Sequence, residues 1–214
     1  MATIMLSTFE PVLGKVTDAQ SILKEGLEIM TGLGAKGRVG ALLRGGVPNT
    51  LNITLEYADI ETYGAAMDRA YADESVQLFL ERAQDSQVMN PIHSADYAEI
   101  AGLEVPFEDL PETGVVMATL FKVRNGKQAA SLERIKRSKA LTEKHGAKVR
   151  FLQAITGDPS GLTVQAQYYP SLAAWGKAAK TLQADPEWQK FVAEIQGEDA
   201  SADFLRTSLI RILN

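Results

Sequence analysis

Few side chains in this chain could do covalent or metal chemistry. It has no cysteine, which removes disulfides, thiolate ligands and cysteine nucleophiles. Its imidazoles are His93 and His145 alone, and no HxxxH, HxH or carboxylate–histidine spacing surrounds them, so no metal is expected. His145 ends a helical stretch just before Gly146, where a partial positive charge suits the macrodipole. Arg38 and Arg150 are the polar residues of most interest, because each opens an apolar strand. Each guanidinium must therefore reach solvent, a carboxylate such as Glu56, or a ligand anion.

Other charged features have plainer readings. Gly14-Lys15 and Gly126-Lys127 follow a strand and precede a helix, where an anion could dock; without the rest of a P-loop they read as turns and caps. Asp73 and Asp185 read as helix N-caps, the second with Pro186 behind it. Residues 127–150 hold eight Lys or Arg against two Glu. That run lacks interleaved aromatics and belongs to a chain of net charge −5, which argues against nucleic acid. Up to Leu110 there are 7 basic and 17 acidic residues, and from Pro111 onward 15 and 10. Oppositely charged halves favour contact between halves or between copies, and a homo-oligomer is expected.

The elements that must position these residues come from a repeat. Adding 112 to a first-half position lands repeatedly on the same residue: Met5 on Met117, Phe9 on Phe121, Gly34-Ala35-Lys36 on Gly146-Ala147-Lys148, Arg38 on Arg150, Phe79 on Phe191. Such matches, spread over every element, indicate a duplication. At that offset His93 faces Leu205, so a duplicated scaffold could have specialised at His93. Each copy reads β-α-β-β-α-β, with an alternating first strand, an amphipathic helix stopped by glycine, a hairpin, a helix broken at Asp73 or Asp185, and a last strand, near Tyr97–Ile100 or Leu205–Leu213. The apolar alternation of the second hairpin fits best one residue short of the offset, so an indel is expected there. The modules are 1–103 and 115–214, joined by an extended linker, 104–114.

A β-α-β-β-α-β unit is the ferredoxin-like split βαβ, an α+β fold. Both sets of alternating strand positions are apolar, so the face without helices needs a partner sheet. The second copy supplies one, and the expected product is an intramolecular pseudo-twofold barrel. Tyr57-Ala-Asp-Ile-Glu-Thr-Tyr-Gly-Ala-Ala and Tyr169-Pro-Ser-Leu-Ala-Ala-Trp-Gly-Lys-Ala-Ala resemble the dimeric α/β-barrel superfamily, which includes antibiotic-biosynthesis-monooxygenase-like and NIPSNAP-like proteins. The resemblance implies that an aromatic on the second helix, here Tyr63 or Trp175, lines a pocket between helix and sheet. The haem-degrading type adds a first-strand asparagine and a nearby histidine, and neither is present, so no cofactor is expected.

The functional expectation is a small-ligand-binding or self-assembling protein without catalysis. The alternative is a cofactor-independent monooxygenase-like enzyme acting on a small apolar aromatic compound. Tyr63, Trp175, Arg38, Arg150 and His93 are the ligand-pocket candidates. The start of the chain has no basic leader and no apolar run approaches membrane-spanning length, so a cytoplasmic protein with no membrane partner is expected.

Overall fold

Period-two alternation gives every strand two faces, and this chain buries both. The computed structural model describes residues 1–158 and 161–213. The first half contributes β1 (Thr3–Pro11), α1 (Val16–Gly32), β2 (Lys36–Arg44), β3 (Leu51–Tyr57), α2 (Ile60–Ala72), α3 (Glu74–Asp85) and β4 (Met89–Glu99). The second contributes β5 (Val115–Val123), α4 (Gln128–Lys144), β6 (Lys148–Thr156), β7 (Leu162–Tyr169), α5 (Leu172–Gln183), α6 (Pro186–Gln196) and β8 (Ala202–Ile212). The strands close into one antiparallel barrel in the order β1-β3-β2-β8-β5-β7-β6-β4. Its seams, β2–β8 and β6–β4, correspond under the repeat. These are two ferredoxin-like modules related by a pseudo-twofold axis.

Helix boundaries follow the local chemistry. Asp73 accepts from Ser75 N at 2.8 Å and Asp185 from Glu187 N at 2.8 Å, so both aspartates are N-caps. Gly34 and Gly146 adopt φ of +99° and +94° just past α1 and α4. That left-handed turn costs glycine little, and it ends both helices.

Three apolar clusters result. One lies under the first-half helices around Leu23, Val39, Leu55 and Tyr57, and one under the second-half helices around Ile135, Phe151 and Tyr169. The third fills the barrel with Ile4, Ala95, Tyr97, Leu152 and Val164.

The structure corrects four expectations. The second hairpin has no indel: Lys36 pairs with Glu56 and Lys148 with Tyr168, and both steps keep the offset of 112. What misleads is an inverted apolar phase. In β3, Leu51, Ile53, Leu55 and Tyr57 are buried under the helices. In β7 the equivalent positions are Thr163, Gln165, Gln167 and Tyr169, while Val164 enters the barrel core. Second, β4 starts at Met89, well before Tyr97. Asn90-Pro91 reads as turn chemistry, but the strand runs through it: a bulge leaves Ile92 without a partner between the Thr8–His93 and Phe9–Pro91 pairs, beside the residue that cannot donate to the ladder.

Third, His93 pairs with Thr8 and Arg206 with Leu120, so the counterpart of His93 is Arg206, not Leu205. Fourth, the segment between β4 and β5 is not simply extended. It makes a 3-10 turn at Phe107–Asp109, buries Leu103, Val105 and Leu110, and lays Phe107 against Arg38.

Charge joins the halves inside the barrel. Arg150 donates to Glu56 at 2.6 Å and to Glu99 at 2.8 Å; Arg150 and Glu99 are buried and Glu56 is partly so. Burial opposes the Arg150 charge, but the bonds to Glu56 and Glu99 outweigh it and hold its pKa above the ordinary range. His93 and Asp158 also pair across the halves, while the ion pairs of α4 stay within the second half. Replacing Arg150 with Met should leave two carboxylates without their cation and cost roughly 3–5 kcal/mol. Urea unfolding measures it; a change near zero would mean that the trio contributes nothing to closure.

Candidate functional site

A cavity of about 220 Å³ lies between the α4–α6 pair and the second-half sheet. Helical spacing brings Ser131, Ile135 and Ser138 of α4 to one wall, and Trp188, Phe191 and Ile195 of α6 to another. The floor is strand: Met117, Thr119 and Phe121 from β5, Phe151 from β6, Gln165 and Gln167 from β7. Trp188 and Phe191 stack at 5.5 Å between centroids, and Phe121 and Phe204 at 6.0 Å.

The two glutamines distinguish this floor. Gln165 and Gln167 sit two apart on one strand face, both buried. Gln165 Nε2 donates to Ser138 Oγ at 3.0 Å, and Gln167 Oε1 accepts from Tyr169 OH at 2.8 Å. The other amide atom of each has no hydrogen bond among the described residues. Turning either amide over exchanges donor for acceptor but still leaves one polar atom per glutamine unmatched.

The equivalent cavity of the first half, about 320 Å³, is lined by Met5, Phe9, Leu23, Phe79 and Met89. Ile53, Leu55 and Gly26 stand where the second half has Gln165, Gln167 and Ser138. The repeat thus gives one cavity whose β3 floor is aliphatic, with Ser7 on β1, and one whose β7 floor carries two amides.

The residues singled out from sequence lie elsewhere. Tyr63 and Trp175 occupy equivalent first turns of α2 and α5. Tyr63 packs on Tyr57 at 5.2 Å, Trp175 joins the second-half core, and neither lines the α1–α3 or α4–α6 cavity. His93 lies 3.3 Å from Asp158, which also accepts from Tyr97 OH. Arg38 and Arg150 face the barrel interior, where Arg38 donates to the carbonyls of Phe107, Leu110 and Pro111. Glu56, named beforehand as a partner for such an arginine, takes Arg150. The glutamines were missed because a strand glutamine reads as solvent-facing, and their signal was the inverted phase of β7.

His145 ties the two helices that wall the site. Its ring lies 2.9 Å from Asp185 Oδ2 and 3.0 Å from Thr181 Oγ1, joining the end of α4 to the cap of α6. No group of three or more His, Cys, Asp or Glu able to hold a metal occurs among the described residues. No helix among them is long and apolar enough to cross a membrane.

No family model and no curated protein matches the chain. Solved structures do. A candidate monooxygenase from Fusobacterium nucleatum superposes with a TM-score of 0.66 at 15% identity, covering 100% of this chain and 93% of the other. An anthrone oxidase-like protein gives 0.61 at 14%, covering 100% and 92%. A heme-binding protein from Thermus thermophilus gives 0.59 at 10%, covering 100% and 91%. The chain shares the ferredoxin-like barrel fold of these structures. At such identities the likeness concerns the backbone. Proteins hold haem iron by imidazole, thiolate, phenolate or thioether. The α4–α6 cavity of this barrel offers the thioether of Met117 and no imidazole, so its residues do not fit an imidazole-ligated haem.

The α4–α6 clamp has a pH dependence. Bonds with His145 and Lys144 and from the Glu187 amide hold the Asp185 pKa below the usual carboxylate range. A depressed pKa stabilises the fold above the unfolded value, about 3.9, and that contribution is lost as pH falls through the folded value. Asp185→Ala should therefore lower the urea midpoint at pH 7, and the gap from wild type should shrink below about pH 4. A gap that ignores pH would mean that the carboxylate charge plays no part.

Proposed function

We propose that the barrel binds a small, flat, largely apolar aromatic molecule in the α4–α6 cavity. The observation that carries this is the pair of buried glutamines, each with an unmatched amide atom, on the floor of an enclosure that also presents Phe121, Phe151, Trp188, Phe191 and Phe204, with Arg134 and hydroxyl side chains among its lining. Neither atom is sealed off: each opens onto the cavity, where water or the polar edge of a ligand can meet it. A ligand hydroxyl would donate to Gln165 Oε1 and accept from Gln167 Nε2 while the rings meet Phe151, Trp188 and Phe191. The first-half cavity offers burial without that selectivity.

Binding without catalysis is the leading reading because the lining has no carboxylate, imidazole or amine to act as a base. The monooxygenase-like alternative is favoured by the named relatives of the same fold. In it, dioxygen converts a ring methylene to a ketone with release of water; water takes the methylene proton, and Gln167 Nε2–H donates to the developing enolate oxygen. Self-assembly belongs to the same proposal. Ile92 of β4 and its counterpart Leu205 of β8, with Phe204, are about half exposed, and a second copy would cover them. Native mass spectrometry should find a dimer or larger; a monomer at micromolar concentration would remove that part.

Titration with 1-naphthol, with naphthalene as reference, tests the binding reading. Trp188 lines the cavity, so its fluorescence should be quenched saturably, with naphthol binding tighter. Gln165→Leu should weaken naphthol roughly 2- to 10-fold and leave naphthalene unchanged. Absence of saturable quenching, or an unaltered naphthol affinity in the variant, would remove the proposal. Oxygen uptake with an anthrone, giving a product one oxygen heavier and two hydrogens lighter, would instead establish the alternative.

A further inference from the structure

A separate chamber of about 100 Å³ lies inside the barrel, away from the helix layer. Arg38, Thr54, Glu56, Arg150 and Tyr168 line it from four strands, the Glu56 carboxylate being taken by Arg150, and Phe107 and Leu110 of the inter-module segment border it. Arg38 is 8% exposed and Arg150 3%. Each has a buried N–H group without a partner: Arg38 Nε and Arg150 Nη2. We propose that this chamber binds a small planar oxyanion of the carboxylate class, held between Arg38 Nε–H and Arg150 Nη2–H.

The remaining donors explain why these two are left. Arg150 uses Nε on Glu99 and Nη1 on Glu56. Arg38 uses Nη1 and Nη2 on main-chain carbonyls, which carry no net charge. The rings of Phe107 and Tyr168 lie 4.5 and 5.5 Å from its guanidinium carbon.

Burial lowers the Arg38 pKa and the like charge of Arg150 adds to it, while Tyr168, Glu56 and Glu112 act in the opposite sense. An anion between the guanidiniums would relieve both the desolvation and the repulsion, through charge-assisted bonds stronger than any to water. The chamber also has room. One water needs roughly 10–15 Å³ on this measure, so a formate- or nitrate-sized guest fits. Such a guest would also hold the inter-module segment on the barrel, since the Arg38 head that binds it carries that segment's carbonyls.

The full chain, freed of anions by dialysis, is titrated with sodium formate while sodium chloride keeps ionic strength constant. The midpoint of thermal unfolding should rise saturably, by roughly 5–10 °C at a hundredfold excess over the dissociation constant. Arg38→Gln should abolish the rise. No rise, a rise that grows with formate without saturating, or one that survives in Arg38→Gln overturns the proposal. If that variant does not fold, wild-type crystals soaked in nitrate decide: trigonal density between the two arginines supports the site, and ordered water alone refutes it.

Discussion

A four-stranded antiparallel sheet with helices on one face still presents a second face and two edge strands to water. In this chain the second face carries Ile4, Leu6, Leu152 and Val164, and the barrel buries it as a core of its own. Closure across β2–β8 and β6–β4 also leaves no free edge. Everything else depends on that closure. It puts the helices outside, it creates an interior able to hold buried charge, and it makes the halves inseparable although each has its own helix-side core.

Closure lets the two copies differ without unfolding either. The β1–β3 and β5–β7 registers are equivalent, with Phe9 opposite Leu51 and Phe121 opposite Thr163. Ladder bonds thus hold the backbone in phase while the side-chain pattern of β7 is inverted. One glutamine pair turned toward the helices puts two amides where the first-half cavity has Ile53 and Leu55. The barrel interior shows the converse exchange: β3 sends in Thr54 and Glu56, while β7 sends in Ala166 and Tyr168. Polarity has been traded between the sheet faces of the two halves.

The repeated arginines show the same divergence. Arg38 and Arg150 occupy one position in the repeat, yet Arg150 holds two carboxylates and Arg38 holds the carbonyls of the chain that joins the modules. Only one copy of that joining segment exists, so the symmetry has to break there. His93 departs for a related reason. β4 and β8 run one residue out of the common offset, which sets His93 against Arg206 and next to an aspartate from the opposite hairpin.

The sequence by itself determined the duplication, the order of elements within each copy, the helix caps at Asp73 and Asp185, the glycine stops, and the need for a sheet-on-sheet partner. All of these rest on local periodicity, capping chemistry and composition, which a linear pattern records directly. Only the tertiary structure decided which cavity carries polar atoms, which carboxylates meet Arg150, where β4 begins, and what Arg38 grips. The physical reason is the same in each case. A strand residue's face is set by ladder register against a distant neighbour, and a buried charge takes whichever partner barrel closure brings within reach. Gln165 and Glu99 look like solvated polar residues in sequence; the helices packed on β7 bury the first, and barrel closure buries the second.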